Sequence, residues 1–169
     1  ITLCSLIKFD SEEKYIKGLK PFCKNIYVFK RAKKPWTISN IFNTGFSSFP
    51  FLVVRNFSKE QKIALEKIIE TEKFDLIHAE TFYVSPHIPK TDTPIVLVDQ
   101  TIEYQVYRHF ANSFRIPFLR PLLMLDVMKI RYWETHFWKK AARVIAVSER
   151  DAKEMKQLVK GLKVTRASK

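Results

Sequence analysis

Three apolar runs of the sequence end in polar residues that could bind a ligand. They are residues 74–80 (FDLIHAE), 94–100 (PIVLVDQ) and 142–148 (ARVIAVS). Short apolar runs rich in β-branched residues are typical of strands covered on both faces of a parallel sheet. The carboxyl ends of such strands meet at one edge, which is where α/β proteins bind ligands. We therefore expect the polar residues to line a common cleft.

Carboxylate, amide and hydroxyl groups dominate the segments that follow the first two runs. Asp99 and Gln100 also have a second interpretation, because side-chain oxygens near a helix start satisfy its free N–H groups. Ser148 either caps the helix that follows it or helps bind a phosphate there. The candidate cleft residues are Glu80, Thr81, Asp99, Gln100, Thr101, Glu103 and Tyr104.

The histidines do not indicate a metal centre. His78 lies at a strand end and is interpreted as a structural, hydrogen-bonded residue. The others, His87, His109 and His136, have no metal-ligand spacing. No metal is predicted. Cys4 and Cys23 match no metal or redox motif and are interpreted as reduced thiols, although the sequence leaves a disulfide between them open.

The elements that must position these side chains alternate along the chain. Residues 30–57 contain prolines, a glycine and many aromatic residues, and we predict that they are irregular, with a short helix near 39–43. Asp10 with Glu13, and Ser58 with Gln61, resemble capping pairs. Further strands are predicted over residues 1–7 and 25–29, and helices over residues 10–18, 58–73, 102–111, 119–140 and 149–160. This alternation indicates a doubly wound parallel sheet with helices on both faces.

The length of 169 residues fits one domain with its own core. Thirty Lys and Arg against 17 Asp and Glu give a formal charge of +13, which favours an anionic partner such as nucleic acid, a phosphorylated substrate or an acidic membrane. Residues 1–7 lack the features of a secretory leader, and charges interrupt the longest predicted helix. We expect a cytoplasmic protein, either free or peripheral on the inner face of the membrane.

A basic and apolar segment covers residues 107–140. It has two interpretations of equal weight: a core helix with a basic solvent face, or a surface that binds an anionic membrane. Its candidate membrane or anion contacts are Arg108, Arg115, Arg120, Lys129 and Arg131.

The segments EKFDLIHAE, PIVLVDQTIEY and RYWETHFWKKAARVIAVSERDAKEM occur in that order. With them the sequence resembles the amino-terminal domain of family 4 glycosyltransferases, which have the two-domain GT-B fold. The resemblance is good over residues 60–157 and follows element order alone over residues 1–57. Gln100 and Thr101 stand where many relatives have histidine and asparagine. The matching positions are Glu103, Tyr104, Glu134, Ser148, Glu149 and Asp151.

The resemblance implies a Rossmann-like domain that binds the acceptor in a retaining glycosyltransferase. The donor would be a nucleotide sugar, and the acceptor a saccharide or a lipid-linked compound, as in the synthesis of cell-envelope polysaccharides. Compared with the family, the chain lacks the first strand and the carboxyl-terminal donor domain. We therefore interpret residues 1–169 as one domain, a fragment that is inactive alone and holds no cofactor of its own.

Two other classes are weighed against this interpretation. A basic α/β module could bind nucleic acid or an anionic membrane without being an enzyme, but no recognised nucleic-acid motif is present. A nicotinamide-dependent oxidoreductase is disfavoured because no G-x-G-x-x-G motif follows a strand.

Overall fold

Six strands, each parallel to its neighbours, form two sheets in the computed structural model, which describes residues 1–31 and 33–167. One sheet pairs β1 with β2, and the other has the order β3, β4, β5, β6. Parallel strands bearing helical connections confirm the predicted α/β class. The strands are β1 (Thr2–Ile7), β2 (Asn25–Lys30), β3 (Ile77–Glu80), β4 (Ile95–Asp99), β5 (Arg143–Ala146) and β6 (Val164–Arg166).

Helices connect most of these strands. Three 3-10 turns cover Asp10–Tyr15, Phe82–His87 and Pro117–Leu119. Within the described residues, no helix is both long enough and apolar enough to cross a bilayer. The α-helices are α1 (Ile16–Leu19), α2 (Ile38–Phe46), α3 (Phe51–Asn56), α4 (Lys59–Thr71), α5 (Glu103–Ser113), α6 (Arg120–Lys140) and α7 (Glu149–Leu158).

The prediction of an irregular segment over residues 30–57 is wrong, because two helices lie within it. The Thr37 side chain accepts a hydrogen bond from the Asn40 N–H and caps α2, and Pro50 immediately precedes α3. Breaker residues here separate two short helices instead of preventing them. The short helix expected near residues 39–43 is the middle of α2.

The structure also differs from the sequence prediction at one helix start and at the last strand. The capping pair Asp10 and Glu13 is wrong, since Glu12 accepts hydrogen bonds from the N–H groups of Lys8 and Phe9 at the start of a 3-10 turn. Strand β6 was not predicted; it follows a turn at Gly161, whose φ of 79° is a left-handed value suited to glycine. In contrast, Ser58 caps α4 as expected, accepting a hydrogen bond from the Gln61 N–H.

The core lies between the four-stranded sheet and helix α6. Leu97 of β4 and Val144 of β5 are almost completely buried, as is Phe82 in the turn after β3. Helix α6 contributes a buried stripe at spacings of three and four residues, which is the spacing of one helix face. The members of that stripe are Val127, Ile130, Glu134 and Trp138.

Candidate functional site

The carboxyl ends of β3 and β4 lie side by side, because Glu80 is in register with Val98. Glu80 and Gln100 therefore meet at the sheet edge, where the Gln100 amide Nε2 donates to Glu80 Oε1 at 2.7 Å. The other Glu80 oxygen is 3.2 Å from His78 Nε2. All three side chains are exposed. The ends of β3 and β4 thus present an accessible carboxylate and amide side by side, and the common cleft stays a prediction.

Thr101 and Glu103 extend this group towards helix α5. The Thr101 hydroxyl donates to Glu103 Oε1 at 3.3 Å. Burial raises the pKa of Glu103, although the hydrogen bond from Thr101 and the charge of Arg55 offset part of that rise. We call Glu80, Gln100, Thr101 and Glu103 the edge cluster. Glu80 contacts Gln100, and Thr101 contacts Glu103.

Thr81 has an unusual backbone conformation beside the edge cluster. Its φ of 68° with ψ of 154° lies in a region that is populated almost entirely by glycine. Its N–H donates to the Val98 carbonyl, and the next N–H, of Phe82, donates to Asp99 Oδ1. The Thr81 hydroxyl is buried and has no hydrogen-bond partner. Neighbouring hydrogen bonds hold this strained residue in place, a feature that is common at functional sites.

Asp99 faces the core and not the cleft. Its side chain is 1% exposed, and its second oxygen accepts a hydrogen bond from Trp138 Nε1. Burial raises the pKa of Asp99 to about 6, against the effect of the hydrogen bonds from Trp138 and Phe82. Both oxygens are therefore occupied in joining β4 to α6 and to the turn after β3. Neither ligand contact nor capping of α5, the two interpretations of Asp99, fits this position.

Tyr104 is also buried, with 8% of its surface exposed, and packs in the core. The Arg131 guanidinium lies 5.7 Å from the centre of its ring. Tyr104 thus joins α5 to α6, and its side chain is not part of the edge cluster.

Glu134 of α6 caps helix α5, a role that the sequence did not reveal. Its two oxygens accept hydrogen bonds from the N–H groups of Glu103, at 2.7 Å, and Tyr104, at 3.3 Å. Glu134 is completely buried, and burial together with the charge of Asp99 raises its pKa well above the ordinary value. The Glu134 carboxyl therefore already occupies the amino terminus of α5, which does not offer the free N–H groups that a phosphate would need.

Ser148 caps helix α7. Its Oγ accepts from the Asp151 N–H at 3.0 Å and donates to Asp151 Oδ2 at 2.6 Å. Two acidic residues, Glu149 and Asp151, lie in the first turn. Asp151 satisfies the Ser148 hydroxyl, and Glu149 pairs with Arg166. The geometry supports the helix-cap interpretation of Ser148, whereas phosphate binding there stays a prediction.

The cleft edge is acidic although the chain as a whole is strongly basic. Glu80 and Glu103 raise the pKa of Asp99, and Asp99 and Glu103 raise the pKa of Glu134, so all four carboxylates interact electrostatically. No group of three metal-ligating side chains forms a cation site in the described ranges 1–31 and 33–167. The edge cluster contains two carboxyl groups, an amide and a hydroxyl, a set that can form hydrogen bonds with ligand hydroxyl groups.

One of the five basic candidates of residues 107–140 is held inside the protein. Arg108, Arg115, Arg120 and Arg131 are exposed, but Lys129 is half-buried. The Lys129 ammonium donates to the carbonyls of Thr44 and Ser47, both at 2.7 Å. Lys129 therefore neutralises the carboxyl end of α2 and is not free to contact a membrane.

His87 is the buried histidine to which the sequence assigned no role. Its Nε2 accepts from the Ser58 N–H, and its Nδ1 lies 2.9 Å from the Val84 carbonyl. This pair of contacts requires a neutral ring with its proton on Nδ1, and burial lowers the pKa of His87 accordingly.

One sequence signal could have identified Glu134: a carboxylate within the apolar stripe of α6 implies a buried partner.

In parallel α/β domains, polar side chains at the carboxyl ends of the strands are typical of sites that bind small molecules. Residues 27–165 match the family described as Glycosyltransferase Family 4, so the chain belongs to that family. The match confirms the predicted family and its Rossmann-like GT-B domain. No curated protein and no solved structure matches the chain.

Proposed function

We propose that these residues form the acceptor-side domain of a retaining glycosyltransferase. The donor would be a nucleotide sugar held mainly by a second domain, and the acceptor a saccharide or a lipid-linked compound. Family membership supports sugar transfer as the reaction. Retention, the acceptor class and the division of roles between domains are our proposal.

The observation that carries the proposal is the edge cluster. Glu80, Gln100 and Glu103 offer carboxylate and amide groups at one accessible edge. Such groups accept from and donate to neighbouring sugar hydroxyls in pairs. The edge cluster itself contains no cation, so a nucleotide diphosphate would gain no charge pair from these four residues. The edge therefore suits the uncharged acceptor sugar, and the donor phosphates are expected to lie beyond it.

The chain's own residues have positioning roles in this proposal. Glu103 and Glu80 would accept hydrogen bonds from acceptor hydroxyls, and Gln100 would orient one of those hydroxyls through its amide. Thr81 and Glu134 would hold the backbone at the ends of β3 and the start of α5. No metal or other cofactor is assigned to this domain. We expect the protein to act in the cytoplasm, either free or on the inner face of the membrane.

A screen of transfer and donor hydrolysis tests the proposal. The full-length protein would be assayed with a panel of nucleotide sugars and with saccharide and lipid acceptors, beside residues 1–169 alone. Turnover confined to the full-length protein is expected, together with a product that keeps the anomeric configuration of the donor. An inverted product would refute retention. No turnover of any donor, with tight and strongly salt-dependent binding of nucleic acid, would favour the non-enzymatic alternative.

A further inference from the structure

A large apolar groove lies between helices α2, α5 and α6. Its volume is about 1090 Å³, slightly above the range of roughly 300–1,000 Å³ that is common for small-molecule sites. Apolar and aromatic side chains form most of its walls, including Ile41, Val106, Leu122, Met128 and Tyr132. Several of these lining side chains are strongly exposed, such as Leu122 at 64% and Tyr132 at 61%. Exposed apolar side chains that line one groove indicate a binding site.

Specific contacts from α6 hold the walls of the groove in place. Lys129 binds two carbonyls at the end of α2, and Trp133 Nε1 donates to the Ser48 carbonyl at 2.8 Å. Asp126 Oδ1 accepts from the Phe51 N–H at the start of α3, at 2.9 Å. Trp36 stacks on Phe51 with ring centres 4.5 Å apart. The groove is therefore held open by side-chain to backbone hydrogen bonds and is not a loose gap between helices.

Arg55 lies in the wall of the groove beside the edge cluster. Its Nε is buried without a hydrogen-bond partner, and its guanidinium is 5.9 Å from the centre of the Phe51 ring. Glu103 lines the same groove and is close enough for the charge of Arg55 to lower its pKa. A partly buried guanidinium with an unsatisfied donor is suited to bind a phosphate or another oxyanion.

Helices α5 and α6, which form two sides of the groove, belong to a basic part of the chain. Residues 103–140 contain seven Lys and Arg against three Asp and Glu. Two of the three acids accept backbone N–H groups, Asp126 from Phe51 and Glu134 from the start of α5, whereas Glu103 lines the groove and accepts from Thr101. Among the groove's basic lining residues, Lys129 is bound to carbonyls and Arg55 has an unpaired Nε. The groove thus combines an apolar interior with a guanidinium in its wall, which suits a lipid with an anionic headgroup.

We propose that the groove between α2, α5 and α6 binds the hydrocarbon chain of an anionic lipid whose phosphate contacts the Arg55 guanidinium. Glu103 links the groove to the edge cluster, so a sugar carried by this lipid would reach Glu80 and Gln100. The identification of the lipid as the acceptor rests on the proposed function. Binding of the lipid itself does not.

Binding of alkyl phosphates of increasing chain length to the full-length protein tests this inference, at concentrations below those at which they form micelles. Each methylene that enters the groove is expected to raise the affinity roughly fourfold, until the groove is filled. An affinity that does not depend on chain length would overturn the proposal and leave only attraction between surface charges.

Gly45 permits a variant that fills the groove without disturbing the fold. A Cβ at Gly45 would meet no atom within 4 Å, and the residue lines the groove. Gly45→Phe is expected to abolish the dependence on chain length. Gly18→Phe is the matched control, because a Cβ at Gly18 also meets no atom and the residue lies in α1. Equal loss of binding in both variants, or in neither, would contradict the proposed location.

A second pair of variants tests the phosphate contact. Arg55→Gln is expected to weaken alkyl phosphate binding by about tenfold or more, since a charge-assisted hydrogen bond is lost. Lys73→Gln removes one exposed positive charge outside the groove and should change the affinity little. Equal effects of the two substitutions would show that only net charge matters.

Vesicles and transfer assays separate the remaining outcomes. Flotation with phosphatidylcholine vesicles that contain phosphatidylglycerol should fail for Gly45→Phe. If that variant instead kept lipid binding and lost self-association, a second copy of the chain would be the occupant and the proposal would fall. Lipid binding without any sugar transfer would refute the proposed function alone, and transfer to free saccharides without lipid binding would refute this inference alone.

Discussion

At the residue scale, the four acidic residues near the ends of β3 and β4 divide into two kinds, two buried in the core and two that lie at the edge. Asp99 and Glu134 hold backbone and indole N–H groups, whereas Glu80 and Glu103 remain at the edge. The strand pattern identified the segment that contains Asp99 and Glu103 but could not separate their roles. The position of each side chain follows from the pleat of β4 and from the partner that α6 presents, and neither is encoded within one local motif.

The strain at Thr81 gives a prediction about stability. Thr81→Gly should be more stable than Thr81→Ala by about 1 kcal/mol, because relief of a backbone strain of about 1–3 kcal/mol exceeds the entropic cost of glycine, about 0.5–1 kcal/mol. Both substitutions remove the unpaired hydroxyl, so alanine is the control. Urea denaturation midpoints of the two variants provide the measurement. If alanine proved as stable as glycine, Thr81 would not be strained.

The raised pKa of Asp99 predicts how stability changes with pH. The carboxyl has an ordinary pKa of 3.8 and a folded pKa of about 6. Its contribution to stability is complete below pH 3.8 and is lost as the pH rises through 6, because the folded state binds the proton more tightly. Asp99→Asn cannot ionise, so its stability deficit relative to the wild type should shrink by up to about 3 kcal/mol from pH 4 to pH 7.

The contribution of His87 to stability changes with pH in the opposite direction to that of Asp99. Its folded pKa is lowered below 6.5, so its contribution is present above pH 6.5 and is lost as the pH falls. Both the wild type and Asp99→Asn contain His87, and the difference between their unfolding free energies therefore cancels its effect. A difference that stayed constant across this range would contradict the raised pKa of Asp99.

At the element scale, helix α6 organises the domain. It caps α5 through Glu134, supports β4 through Trp138 and closes the groove through Lys129. The periodic apolar residues of α6 allowed the helix itself to be predicted. Its contacts could not be predicted, because they join residues about 30–85 positions apart in sequence. Helix α3 was missed and α2 was predicted too short for the same reason, since tertiary contacts stabilise these helices more than local patterning does.

The capping role of Glu134 can be measured against a conventional helix cap. Glu134→Gln keeps one acceptor oxygen for two backbone N–H groups and should destabilise the protein by about 2–3 kcal/mol. Ser148→Ala removes the cap of α7 and should cost about 1 kcal/mol. Unfolding free energies from urea titrations compare the two. A smaller effect for Glu134→Gln than for Ser148→Ala would show that α5 does not depend on this carboxylate.

At the scale of the whole molecule, the candidate site and the complete chain differ in charge. The chain carries a formal charge of +13, yet four carboxylates gather at the strand ends.

The sequence predicted the fold class, the family and the edge of the sheet, since these follow from the strand pattern and the order of its segments. It did not predict the division of the strands into two sheets, and the expected absence of the family's first strand stays a prediction.

Binding of the acceptor by the edge cluster can be decided by steady-state kinetics of the full-length protein. The edge variant combines Gln100→Ala with Glu103→Gln, and Gln157→Ala with Glu70→Gln is an exposed control pair of the same chemistry. We predict that the edge variant raises the KM for the acceptor about tenfold or more and leaves the KM for the donor unchanged, whereas the control pair changes neither. An unchanged acceptor KM and kcat in the edge variant, or an effect on the donor alone, would show that the edge cluster does not bind the acceptor.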